Sequence, residues 1–132
     1  MNKICTSLEQ SKKLIELGID RKTSDMYYWC GEDLRMGGYK AQDEECDIPA
    51  WSLSALMELM PDCLNEQGQP FNGVGYCFEL NGYKYKDNGE TMYGCCYEEE
   101  EGRLDCLCNF YASTPVDAAI EMVCWLKKEE YI

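Results

Sequence analysis

Two Asn-Gly dipeptides, at residues 81–82 and 88–89, constrain the fold more than any other feature of this sequence. Both residue types accept positive φ angles, and Asn-Gly between apolar runs is a strong local signal for a β-hairpin. With residues 81–82 as the turn, Leu80 lies opposite Tyr83, and the apolar side chains of both strands share one face. The pattern predicts a four-strand antiparallel meander whose last strands lie near 91–97 and 104–111.

Three other segments have the apolar spacing of helices. The first, about 7–17, has Gly18 where a left-handed residue ends a helix. Two capping boxes are candidates for its start, Thr6 with Glu9 and Ser7 with Gln10. The second segment, 47–61, has Pro49 near its start. The third begins at Thr114, an N-cap residue, and it is apolar almost all round, which predicts a central helix packed on the sheet.

The rest of the chain adds less structure. The aromatic stretch 24–30 predicts a strand, and the glycine-rich, acidic stretch 31–47 predicts a loop with a candidate short strand near 36–40. A chain of 132 residues fits one domain, here 1–132. We therefore expect an α+β fold, in which an antiparallel sheet of four to five strands is packed with about three helices and the C-terminal helix is central.

Charge excludes several classes of partner. The chain has 12 Lys and Arg against 25 Asp and Glu, which gives a net charge of −13, and it has no histidine. Proteins that follow a phosphate backbone need a basic face. We therefore expect no direct binding to nucleic acid or to an anionic membrane. An acidic surface that binds a basic protein, or that imitates nucleic acid, is consistent with this charge.

The redox state of the ten cysteines depends on the cellular compartment of the protein. The N-terminal residues have no apolar core of a secretory signal, and the chain has no apolar run long enough to cross a membrane. These absences predict a cytoplasmic protein, in which cysteines remain thiols.

The stretch "YGCCYEEEEGRLDCLC", residues 93–108, raises the question of a metal site. A structural zinc site needs four convergent ligands, and the chain has no Cys-x-x-Cys knuckle. With a hairpin loop at Glu99–Gly102, Cys95 lies opposite Cys106 and shares a face with Cys106 and Cys108, whereas Cys96 does not. Another loop length exchanges Cys95 and Cys96, so at most three of the four cysteines converge.

A fourth thiolate would have to come from elsewhere in the chain. The candidate ligands are therefore Cys95, Cys96, Cys106, Cys108, Cys77 and Cys124. The alternatives are a cross-strand redox disulfide and, favoured here, thiols that act as small buried hydrophobic groups. On the favoured interpretation we expect no metal and no other cofactor. The acidic group Asp43, Glu44, Glu45 and Asp47 is a second candidate for a cation, but it lacks the EF-hand pattern and is typical of a charged loop.

Catalytic patterns are missing from the sequence. A catalytic cysteine or serine usually has a histidine base beside it, and this chain has no histidine. It also has no nucleophile elbow and no phosphate-binding glycine loop. We therefore expect that the protein is not an enzyme.

Several stretches resemble a known set of sequences. They are "SLEQSKKLIELGID" with "SDMYY", then "IPAWSLSALMELMP", then "TPVDAAIEMVCWL" with a C-terminal "YI". Together they resemble small uncharacterised proteins encoded by gut Bacteroidales-type anaerobes, their phages and mobile elements. The resemblance covers about half of the chain. It implies a cytoplasmic location and a phage or mobile-element origin, but no activity.

Three functional hypotheses follow from these observations. The first is a non-enzymatic accessory or interaction module that binds another protein. The second is an acidic decoy that occupies the nucleic-acid site of a host defence or regulatory protein. The third is a small-ligand binder or a cysteine-ligated metal protein.

Overall fold

The computed structural model describes residues 3–64, 76–84, 91–99 and 106–132. At 76–77, 83–84, 98–99 and 106–107 it describes the backbone alone. Along the described chain the elements are α1 (Leu8–Glu16), β1 (Met26–Trp29), β2 (Asp33–Met36), β3 (Ile48–Ala50), α2 (Leu53–Glu58), β4 (Cys63–Leu64), β5 (Tyr76–Lys84), β6 (Thr91–Glu99), β7 (Cys106–Ala112) and α3 (Pro115–Lys128).

The α+β class, the antiparallel pairing and the three helices are confirmed. The strands do not form one sheet, however. They are divided between a small sheet of order β2-β1-β3 and a longer sheet of order β4-β5-β6-β7, in which β4 has only two residues. The division arises because the stretch 31–50, predicted mainly as loop and helix, contributes two strands that pair on either side of β1.

The first helix forms where the sequence predicts it, with the second capping box. The Ser7 hydroxyl accepts a hydrogen bond from the Gln10 amide at 3.2 Å, and the Gln10 side chain accepts one from the Ser7 amide at 2.9 Å. Gly18, with φ of +90°, follows the helix as predicted. Thr6 does not cap the helix, because its side chain is buried against Ser11 and the backbone of Trp51.

The second predicted helix, 47–61, is shorter than its apolar pattern indicates. Residues 48–50 form β3, which includes Pro49, and the helix begins only after Ser52, whose hydroxyl accepts the Ala55 amide at 3.2 Å. Pairing with β1 wins here over helical periodicity. Met57, inside the shortened helix, is 37% exposed.

The prediction of a turn at Asn81-Gly82 is wrong. Both residues lie inside β5, opposite Gly94 and Tyr93 of β6. A Cβ at position 82 would lie 3.5 Å from the Tyr93 ring, an ordinary van der Waals contact, so packing does not require glycine there. The predicted pairing of Leu80 with Tyr83 is replaced by pairing of Leu80 with Cys95. The second dipeptide, residues 88–89, lies outside the described residues.

The main core forms between the longer sheet and α3. Thr114 caps α3 as predicted, and its hydroxyl accepts the Asp117 amide at 3.1 Å. The helix packs against β6, β7 and α2, and eight of its 14 residues are buried. A smaller cluster of Cys5, Met26 and Ala50 packs under the small sheet. Within the described ranges, no helix has both the length and the apolar character needed to cross a bilayer.

A polar group joins the chain start to α3. Lys3 Nζ lies 2.5 Å from Asp117 Oδ1, and Gln10 Nε2 donates to the same oxygen at 2.8 Å. Partial burial opposes ionisation of Asp117, but the hydrogen bonds from Lys3 and Gln10 outweigh it and lower the pKa of the carboxyl. Asp117 therefore ties the start of α3 to the segment before α1.

We predict an acid-dependent contribution to stability from Asp117. Because its native pKa is lowered, the contribution is present above the unfolded value of ~3.9 and is lost as pH falls through the native pKa. Asp117→Asn should lower the free energy of unfolding by about 1 kcal/mol at neutral pH. Urea unfolding at a series of pH values checks this, with Glu121→Gln as a control for loss of charge on an exposed site of the same helix. A difference that stays constant down to acid pH would contradict the prediction.

Candidate functional site

The predicted cysteine ligands lie on and beside the longer sheet. The β6–β7 register places Cys95 opposite Phe110 and Tyr97 opposite Cys108, so the predicted pairing of Cys95 with Cys106 is wrong. A bulge next to Tyr97 shifts the register and brings Cys106 opposite Glu98. A single displaced residue of this kind is invisible in strand alternation.

The strand faces separate these thiols. Cys95 and Cys108 share a face by alternation, and Cys96 lies on the other one. Burial raises the pKa of the Cys95 thiol to about 12, with a smaller contribution from Cys108. Cys124 of α3 is also buried. The charged groups near it are Lys13, Lys128 and Glu121, which lie on α1 and α3. The side chains of Cys77 and Cys106 lie outside the described residues.

A different set of ligating groups converges in the small sheet. Within the described residues, Cys30, Cys46 and Asp47 form one group whose sulfur and carboxylate oxygen atoms all lie within 4.8 Å of one another. The Cys30 and Cys46 sulfurs are 3.8 Å apart, and the Cys46 sulfur is 3.7 Å from Asp47 Oδ1. We call these three residues the thiol site. Both cysteines are exposed, and Asp47 is buried.

The β1–β2 turn positions the first cysteine. Cys30 and Gly31 have φ of +50° and +74°, the left-handed conformation that joins antiparallel strands with the right twist. Such a φ is unfavourable for a cysteine by roughly 1 kcal/mol. A hydrogen bond offsets this strain, since the Cys30 amide donates to Asp47 Oδ1 at 2.8 Å.

Asp47 connects the two loops of the site. Its second oxygen, Oδ2, accepts the amide of Asp43 at 2.8 Å, and Arg21 donates to its carbonyl oxygen. The amides of Asp43 and Cys30 lower the pKa of Asp47, so the carboxylate is charged at neutral pH. Asp47 is the buried acid of the predicted cation group. By accepting two backbone amides, its carboxylate fixes the conformation of the loop.

The second cysteine is protonated at neutral pH. Desolvation of its sulfur, the hydrogen bond shared with the Cys30 thiol and the carboxylates of Asp43 and Asp47 raise the pKa of Cys46 to about 12. Each of these groups disfavours a thiolate. In the absence of a cation Cys46 is therefore a thiol of low nucleophilicity.

The hairpin of β1 and β2 presents an exposed surface beside the thiol site. All four residues of β2 are exposed, including Met36 at 76%. Trp29, at the end of β1, is 44% exposed, and the Arg35 guanidinium lies 4.3 Å from the centre of its ring. Aromatic, Met and Arg side chains are the types enriched in protein interfaces.

An open cleft of about 600 Å³ lies between α1, β7 and α3. Its walls carry both signs of charge and the rings of Phe110 and Trp125. Lys13 of α1 and Lys128, Asp117 and Glu121 of α3 all line it. The cleft therefore lacks the single-sign group of converging charges that would select an ionic ligand.

Sequence reasoning missed the thiol site. Cys30 and Cys46 are 16 positions apart, which matches no metal-binding spacing. The usable signal was that Cys30 precedes a glycine after an aromatic strand, and Cys46 precedes an acid and a proline-containing strand. Comparisons with protein-family models, curated proteins and solved structures find no match to this chain.

Proposed function

We propose that this protein is a non-enzymatic interaction module, of the phage or mobile-element origin that the resemblance implies. It binds a basic, extended segment of another protein along β2. The observation that carries the proposal is the exposure of all four β2 residues at the edge of the small sheet. In the described part of the chain β2 pairs with β1 on one side only, and an edge strand can accept a further strand through its backbone groups.

Side chains on β2 supply the apolar part of this surface. Leu34 and Met36 are separated by two positions and project from the same face of the strand, and both are exposed. A strand added at this edge would cover them with alternate side chains of its own. On the opposite face, the stacked pair of Trp29 and Arg35 offers a flat aromatic and planar surface.

Charge selects the partner. Residues 30–47, which form the hairpin tip, β2 and the loop of the thiol site, carry six acidic and two basic side chains. Three consecutive acids of that loop, Asp43, Glu44 and Glu45, are exposed. An acidic rim beside apolar contacts attracts a basic segment and repels an acidic one. Binding should weaken as salt is raised, because exposed charges are screened.

A synthetic peptide tests this proposal directly. A fluorescent peptide of alternating Val and Lys should bind, and its Val–Glu counterpart should not, as measured by anisotropy. Met36→Lys should weaken binding about tenfold, because it removes apolar contact and adds a like charge. Met57→Lys adds the same charge at an exposed methionine of α2 and should leave binding nearly unchanged.

Two results would overturn the proposal. One is equal weakening by Met36→Lys and Met57→Lys, which would indicate attraction to the overall negative charge. The other is binding without protection of the Leu34 to Met36 amides in hydrogen exchange. Competition by the protein for a basic nucleic-acid-binding domain, insensitive to Met36→Lys, would instead favour the decoy hypothesis.

A further inference from the structure

The thiol site has the dimensions of a metal-binding group. A zinc ion held tetrahedrally at ~2.3 Å by two thiolates places their sulfurs ~3.8 Å apart, and a sulfur and a carboxylate oxygen ~3.5 Å apart. The observed separations are 3.8 Å between Cys30 and Cys46 and 3.7 Å between Cys46 and Asp47. All three separations lie within 4.8 Å, so the three groups can converge on one ion through side-chain movements of about 1 Å.

We propose that Cys30, Cys46 and Asp47 bind a thiophilic divalent cation of the zinc type. Three protein groups leave the fourth tetrahedral position to water or to another ligand. Both thiols lose their protons to solvent when the ion binds. The proposal goes beyond the interaction function, and it replaces the expectation of no metal, which was based on the β6–β7 cysteines and not on this pair.

The donor set selects the class of cation. Two sulfurs and one carboxylate suit a borderline or soft ion and exclude the oxygen cages that Ca²⁺ and Mg²⁺ require. The exposed acids of the adjoining loop, Asp43, Glu44 and Glu45, add a negative field that attracts a cation. Both cysteines are exposed, so the ion reaches the site directly from solvent.

The surroundings preorganise the ligands. Asp47 accepts one backbone amide on each carboxylate oxygen, and each oxygen retains a lone pair for an ion. Arg21 holds the loop through the carbonyl groups of Asp43, Glu44 and Asp47. Hydrogen bonds of this kind, made to the ligand residues by their neighbours, orient the ligands in metal proteins. A disulfide would need the sulfurs to approach to ~2.05 Å and an external oxidant, neither of which metal binding requires.

Metal titration of the full chain tests the proposal. Reduced protein should take up one Zn²⁺ in competition with a chromophoric chelator. With Co²⁺ it should show the intense absorption of a tetrahedral thiolate complex. Cys30→Ser and Cys46→Ser should each weaken metal binding at least ~100-fold, because loss of a mere hydrogen-bond partner of a ligand can already weaken it by up to ~100-fold. Asp47→Asn should weaken metal binding as well. Glu121→Gln removes an exposed charge on α3, outside the thiol site, and should bind like the parent protein.

The outcomes separate the alternatives. Equal uptake by the parent and the Cys30→Ser/Cys46→Ser double variant would place the metal on other cysteines and overturn the proposal. A pale octahedral Co²⁺ spectrum would do the same, because it indicates carboxylates alone. A third contrary result is no uptake by the reduced protein together with a Cys30–Cys46 disulfide found by mass spectrometry after exposure to air. Because both serines replace exposed thiols, the variants should remain folded. Circular dichroism checks this.

Discussion

Replacement of Trp51 by alanine is expected to lower the free energy of unfolding by about 3–5 kcal/mol. The Trp51 side chain is 0% exposed and belongs to the main core cluster. It lies between the small sheet and the start of α2, and its indole nitrogen donates to the Thr23 hydroxyl at 2.9 Å. Truncation therefore loses apolar burial, leaves a cavity and breaks a hydrogen bond.

The control is the same substitution at Trp29. This ring is 44% exposed and contacts Arg35 on the surface, so Trp29→Ala should cost no more than about 1 kcal/mol. Urea unfolding followed by far-ultraviolet circular dichroism gives both values. Comparable losses at the two positions would show that Trp51 is not the core residue described above.

Thr6→Val is expected to destabilise the protein by about 2 kcal/mol, although it preserves the shape of the side chain. The Thr6 hydroxyl is fully buried, lies 2.7 Å from the Ser11 hydroxyl and accepts the Trp51 amide at 3.1 Å. Valine would leave two buried polar groups without this partner, and each such group costs roughly 1–3 kcal/mol. The contact joins α1 to the strand that leads into α2.

A double-mutant cycle isolates this contact. Thr6→Val and Ser11→Ala together should cost less than the sum of the single changes, because both remove the same hydrogen bond. Ser54→Ala removes a hydroxyl at an exposed position of α2; it serves as the comparison and should cost about 0.5 kcal/mol or less. Strict additivity of Thr6→Val and Ser11→Ala would mean that the two hydroxyls do not interact.

Local signals predicted the ends of the sequence well. Ser7 and Gln10, Gly18 and Thr114 act through atoms only a few positions away, so helix caps appear at the predicted places. The middle of the chain was predicted poorly for the same reason. Asn81-Gly82 has the chemistry of a turn, but its conformation is decided by nine ladder positions shared with β6.

The candidate site illustrates the same limit. The sequence directs attention to Cys95 and Cys96 because they lie near other cysteines, yet neighbours along a strand point to opposite faces. Cys30 and Cys46 are brought together by the pairing of β1 with β2 and β3 and by the carboxylate of Asp47. That pairing depends on contacts between distant segments, which a spacing rule does not contain.

By itself the sequence determined the α+β class, the strong negative charge, the places where α1 and α3 begin, and the absence of histidine chemistry. These properties depend on composition and on short-range hydrogen bonds. The tertiary structure alone decided the division of the strands into two sheets, the β6–β7 register with its bulge, and the meeting of Cys30, Cys46 and Asp47. These depend on which distant strands pair, because burial and ladder hydrogen bonds together outweigh local preference.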